Sequence, residues 1–126
     1  MLKVVILVKR KDGMSFAEFD EYWDKTHGKV VMSVPEFTRY IRKYVQSHLR
    51  PDLSSPFPSA DSGFDGYAEL WFDDLDSMNA AFNEPRYLEV IRPDELKFIA
   101  LDKCKTMLCH DLPKIVPEGV PAVCAP

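Results

Sequence analysis

The chain has three histidines, and two of them close segments with a pronounced pattern: His27 ends EYWDKTH and His48 sits at the end of TRYIRKYVQSHL. An imidazole titrates near pH ~6.5, so either histidine is suited to take or give a proton at neutral pH. Residues of one parity in the second segment are Tyr40, Arg42, Tyr44, Gln46 and His48. On a strand they share one face. That face is too polar for a sealed core and too aromatic for a solvated surface, so it reads as the wall of a pocket. Tyr67, Glu69 and Trp71 share a face in FDGYAELWFDD, where they would line the same pocket, with Glu69 placed to orient a histidine or accept a proton. Taken singly, each histidine is most simply a packed, satisfied residue. Two of them on converging faces, with tyrosines and a carboxylate, shift the reading to acid–base chemistry. His110 follows the last strand and reads as structural or exposed.

Other chemistries find little support. The five glycines form no GxGxxG or P-loop, and neither GxSxG nor HExxH occurs. The histidines lie on different elements without ligand spacing, so neither a metal nor a cofactor is expected. Cys104, Cys109 and Cys124 are odd in number, contain no CxxC and lack a recognisable base partner. They read as reduced thiols of a cytoplasmic protein, not as a disulfide framework or as nucleophiles. A net charge of −4 and a pI near 5.3 argue against nucleic acid as a partner. The apolar run in MLKVVILVKRKDG is too short to span a bilayer and lacks a small-residue cleavage site, so no membrane association is expected.

The elements that must position these residues follow from periodicity. LKVVILVKR is β-branched and apolar on both alternating faces, as in a strand covered on both sides. Ser15 and Glu18 form a capping box, and Phe16, Phe19, Trp23, His27 and Val30 then recur at helical spacing. Phe16, Phe19 and Trp23 read as core. Residues 50–63 carry three prolines and four serines and form a loop. Asp65 shapes the turn into the third strand, FDGYAELWFDD. Asp76 is placed to cap a second helix through Met78, Ala81 and Phe82, with Pro85 interrupting it and PDELKFI making a further turn. KCKTMLCHD is a fourth strand. Residues 112–126 hold four prolines and no pattern, and are expected to be an extended tail lying across a partner.

The order β-α-β-β-α-β is the ferredoxin-like α+β arrangement, with helices on one side of an antiparallel sheet. One domain spans residues 1–111. The uncovered sheet face is best buried in a homodimer whose two sheets face each other around a cavity.

KRKDGMSFAEFDEYWDKTHGKV, YVQSHL, FDGYAELWFDD and EPRYLEV with PDELKFI, in that order, resemble the EthD family of the dimeric α+β barrel superfamily over residues 2–111. The pieces F-x-x-Y-W-x-x-x-H-G and F-D-G-x-A-E-L-W carry the resemblance. It implies the same fold and dimer, and a cofactor-free lyase of fungal aromatic polyketide pathways. Such lyases are decarboxylases of anthraquinone- or xanthone-type acids, or dehydratases. His27, Tyr40 and His48 match the pocket pattern of a related isomerase; the histidine–tyrosine pair of a related cyclase has no match here. The leading expectation is decarboxylation of a polyphenolic acid. His27 would transfer the proton, His48 and Tyr40 would bind the enolic oxygen and Arg42 the carboxylate, with Tyr44, Tyr67, Glu69 and Trp71 around the substrate. Dehydration, and then isomerisation or cyclisation, are the alternative reactions; a non-catalytic binder of a hydrophobic metabolite is the alternative of another class.

Overall fold

The structure, a computed structural model, describes residues 1–119. Its sheet is antiparallel with strand order β2-β3-β1-β4, where β1 is Leu2–Val8, β2 Ile41–His48, β3 Gly66–Phe72 and β4 Lys105–Cys109. Five α-helical segments, α1 (Phe16–Glu21), α2 (Gly28–Met32), α3 (Pro35–Thr38), α4 (Leu75–Phe82) and α5 (Arg92–Phe98), accompany it. This is the expected ferredoxin-like α+β fold. Among the described residues, no helix is long and apolar enough to cross a membrane.

The capping box forms as expected: the Glu18 backbone N–H donates to Ser15 Oγ at 3.1 Å and the Ser15 N–H to Glu18 Oε1 at 3.3 Å. The helix that follows is not uniform. Between α1 and α2 the residues Tyr22–His27 form a π-helical segment, and a second one, Tyr87–Ile91, precedes α5. The side chains buried along the first helix are Phe19, Trp23, His27 and Val31, not Val30. A strict four-residue spacing drifts by about 40° per step on an α-helix. The wider π turn absorbs that drift and keeps His27 on the buried face, a placement such turns often serve.

Three further expectations are corrected. Asp74, not Asp76, caps α4, accepting from the Ser77 backbone N–H at 2.8 Å. PDELKFI is the body of α5, because Pro93 occupies the first turn, where its missing N–H costs nothing. In β2 the pairing passes from Ile41↔Phe72 directly to Lys43↔Trp71, so Arg42 is bulged out and the alternation from Tyr40 is broken. The helix-side face of the sheet is therefore Val4, Ile6, Val8, Ile41, Tyr44, Gln46, His48, Ala68, Leu70 and Phe72.

Asp65 ties the entry of β3 to the exit of β1. It is 3% exposed and accepts from the Arg10 backbone N–H at 2.8 Å and the Arg10 guanidinium at 2.6 Å. Its own N–H donates to the Val8 carbonyl at 2.9 Å. Asp65→Ala strands the part-buried Arg10 N–H, and a urea denaturation curve is expected to show a loss of about 1–3 kcal/mol.

The opposite, outer face carries Lys3, Val5, Leu7, Val45, Tyr67, Glu69 and Trp71. Trp71 is only 6% exposed because its ring lies under two ammonium groups, Lys3 Nζ at 5.1 Å and Lys43 Nζ at 4.7 Å from the centroid. Its indole N–H donates to Asp111 at 2.7 Å, so the chain beyond β4 is pinned back onto this face. Residues 112–119 follow without helix or strand; the rest of the expected tail, and Cys124, lie outside the described residues.

Candidate functional site

A cavity of about 370 Å³ lies between the sheet and its own helices, not between two facing sheets. That volume falls in the range of small-molecule sites. Its walls are largely apolar: Val4, Ile6, Val8, Ala68 and Leu70 from the sheet, Phe37, Met78, Ile91 and Phe98 from the helices. A few polar groups converge on it, namely His27, Tyr44, Tyr87, Arg92, Glu95 and Thr106.

His27 closes the first π-helical segment and is 6% exposed. Its Nδ1 lies 2.8 Å from Asp94 Oδ2, and its ring packs 4.8 Å from that of Phe98. A carboxylate only accepts, so Nδ1 carries a proton, and in the neutral ring the lone pair is on Nε2. Among the described residues Nε2 has no protein partner, and no fully buried side-chain nitrogen or oxygen lacks one; Nε2 therefore opens to the cavity. Asp94 is 4% exposed and also accepts from the Tyr22 hydroxyl at 2.5 Å, with Lys97 Nζ 3.9 Å away. Burial, reinforced by the Asp94 carboxylate, pushes the Tyr22 phenol up to about 12, which keeps it a donor. The arrangement Tyr22–Asp94–His27 is one that can serve as a base, with the ring's direction set from behind.

A second polar group stands on the same cavity. Tyr87 donates to Glu95 at 2.8 Å, and Arg92 donates to Glu95 at 2.8 Å and to the Tyr87 oxygen at 3.1 Å. Burial raises the Glu95 carboxyl above its ordinary value, against the opposing pull of Tyr87, Arg92 and His27. Burial likewise raises the Tyr87 phenol, with the Glu95 charge adding to it.

The residues expected from sequence divide into three places. His27 and Tyr44 line the cavity. His48 and Gln46 stand in an adjoining open cleft with Asp20 and Asp24, where Tyr44 also appears. The remainder lie elsewhere: Arg42 is exposed and forms a two-armed pair with Asp73 at 2.9 and 2.7 Å. Tyr40 precedes the strand and meets Arg39, 3.4 Å from its hydroxyl. Glu69 bonds Lys3 at 2.8 Å on the outer face, beside Trp71 and a 41% exposed Tyr67. His110 is exposed. Asp94, Tyr22, Tyr87, Arg92 and Glu95 escaped the sequence reading; the available signal was helical, since Pro93 starts α5 and sets Asp94 and Glu95 in its first turn. Among the described residues no group of three or more His, Cys, Asp or Glu side chains could hold a metal ion.

Comparison with known proteins adds the following. Residues 11–102 match the family model described as "EthD domain". The chain is 33% identical over 104 residues to the "Conidial pigment biosynthesis dehydratase EthD" of Metarhizium robertsii, covering 78% of this chain and 73% of that protein. It is 27% identical over 122 residues to "Dehydratase aurZ" of Gibberella zeae, covering 92% and 80%. Among solved structures, a "dimeric protein of unknown function and ferredoxin-like fold" from Bacteroides fragilis superposes with a TM-score of 0.61 at 14% identity, over 86% of this chain and 93% of the other.

Proposed function

The chain belongs to the EthD domain family, and on that footing we propose that it is a cofactor-independent dehydratase acting on an enolisable, polyphenolic ketone of aromatic polyketide type. The observation that carries the reading is the His27–Asp94 pair, whose free Nε2 opens into an apolar cavity. His27 takes the proton α to the ketone carbonyl, the electron pair moves into the ring, and the β-hydroxyl leaves. The proton returns to that oxygen, so the products are water and a more aromatic ring. The chain itself supplies the base. Apolar walls suit a fused-ring substrate and keep bulk water from the enolate.

The names of the two similar fungal proteins speak for loss of water. Decarboxylation, the leading expectation from sequence, takes second place because Arg42, the group expected to hold the carboxylate, is paired with Asp73 outside the cavity. The working unit we propose is a homodimer joined through the outer sheet face, where Val5, Leu7 and Val45 are partly exposed. The dimeric protein of like fold supports this.

The test is incubation of the purified protein with β-hydroxy anthracenone-type ketones and with the corresponding carboxylic acids, followed by mass spectrometry. Loss of water from the ketone is the expected result. Loss of CO2 from the acid would replace dehydration with decarboxylation, and a ligand retained unchanged would make the protein a binder.

A further inference from the structure

His48 is flanked by two acceptors. Asp20 Oδ1 lies 2.5 Å from Nδ1 and Gln46 Oε1 lies 2.8 Å from Nε2. The direction of the Gln46 amide is fixed at its other end, where Nε2 is 3.0 Å from the Trp23 carbonyl oxygen and 2.8 Å from the Tyr44 hydroxyl. A backbone carbonyl only accepts, so the atom beside it is the NH2 group and the atom facing His48 is the amide oxygen. Both ring nitrogens of His48 therefore face acceptors, and the ring packs at a tilt 4.3 Å from that of Trp23. With both nitrogens engaged, His48 serves to hold Gln46 in place.

Tyr44 follows in the same chain of donors and acceptors. Its oxygen accepts from Gln46, so its own O–H proton must point elsewhere, and Tyr44 borders the cavity that His27 enters. We propose that Asp20, His48 and Gln46 form a positioning chain that turns the Tyr44 hydroxyl proton into the cavity, where it binds the carbonyl oxygen of a polyphenolic ketone. The reaction assigned to this contact rests on the proposed dehydration. As His27 removes the adjacent proton, that oxygen becomes an enolate, and a donor already aimed at it gains strength in the transition state. Burial holds the Tyr44 phenol above its ordinary range, with Gln46 and the Trp23 indole pulling the other way, so it stays a donor.

Gln46→Glu tests the chain without removing Tyr44. The substitution replaces the NH2 group with an acceptor, so the phenol proton turns back towards residue 46 and away from the cavity. Two readouts separate positioning from chemistry, each on protein whose circular dichroism matches the native chain. The first needs no turnover: a hydroxylated anthraquinone bound to the native protein should show a red-shifted, phenolate-like absorption at neutral pH. That signature should be lost in both Tyr44→Phe and Gln46→Glu. The second is kcat on the hydrated ketone, expected to fall ~10²-fold in Tyr44→Phe, nearly as far in Gln46→Glu, and no further in the double variant. A shift that survives Gln46→Glu, a probe that does not bind, or effects that multiply in the double variant would each overturn the positioning chain. A native protein that converts no ketone while the probe signature still depends on Gln46 would overturn only the dehydration reading.

Discussion

His27→Asn is expected to lower turnover of the ketone by about 10²–10⁴-fold, the usual cost of deleting a general base. Asparagine is the informative replacement because its amide nitrogen falls near the position of Nδ1. It can keep the hydrogen bond to Asp94, 2.8 Å long in the native chain, while the nitrogen that opens to the cavity disappears. Folding is then separated from chemistry. Asp94→Asn attacks the same unit from behind. The amide can offer its NH2 to Nδ1, which moves the ring proton to Nε2 and leaves no lone pair in the cavity; a loss of similar size is expected. Because the two side chains act as one base, the double variant should be little worse than either single one. Additive losses would mean that Asp94 serves the fold rather than the base. The measurement is kcat for each variant at saturating ketone, with circular dichroism to confirm folding.

The largest effect on stability is expected at a glycine. A Cβ built on Gly66 would lie 2.5 Å from the Ser47 carbonyl oxygen and 2.7 Å from the Trp23 ring. Neither neighbour can give way. Ser47 belongs to the β2–β3 ladder, paired with Tyr67, and Trp23 is 2% exposed, held between Phe19 and His48. Gly66→Ala should therefore destabilise the protein by about 3 kcal/mol or more, near the top of the range for overpacking. Gly13→Ala is the control: its φ is +83° but nothing stands within 4 Å, so only the left-handed backbone penalty of about 1–2 kcal/mol applies. Chemical denaturation of both variants compares them directly, and equal losses would refute the packing account. Because Gly66 packs on the ring that lies against His48, a folded Gly66→Ala protein should also disturb the Gln46–Tyr44 alignment.

The sequence reading reached the strands, the capping box and the helical stripe because each is written in a local period. Val4, Ile6 and Val8 alternate, Ser15 and Glu18 stand three apart, and Phe19, Trp23 and His27 stand four apart. It misjudged what a period cannot carry. Alternation groups Tyr67, Glu69 and Trp71 on one face but does not say which face the helices cover, and these three point away from the cavity. A single bulged residue removed Arg42 from the face its parity assigned to it. Trp71 is buried by Lys3, Lys43 and Asp111, contacts made by residues remote in the chain and invisible to any pattern. Asp94 was hidden in PDELKFI, a segment read as a turn that is the body of a helix, and its partner His27 is 67 residues away.

The strand order has a kinetic consequence. β1 is central in the sheet, but both its neighbours, β3 and β4, are made after it, and β4 is the last strand among the described residues. During synthesis β1 leaves the ribosome before either neighbour and must wait, with both edges open, while β2 and β3 form their own hairpin. Closing β4 onto β1 pairs strands remote in sequence, a step of high contact order that makes folding slow relative to a helical bundle of this size. The Leu2–Val8 strand is thus the segment most in need of protection before release. C-terminal truncation would leave its edge permanently unpaired.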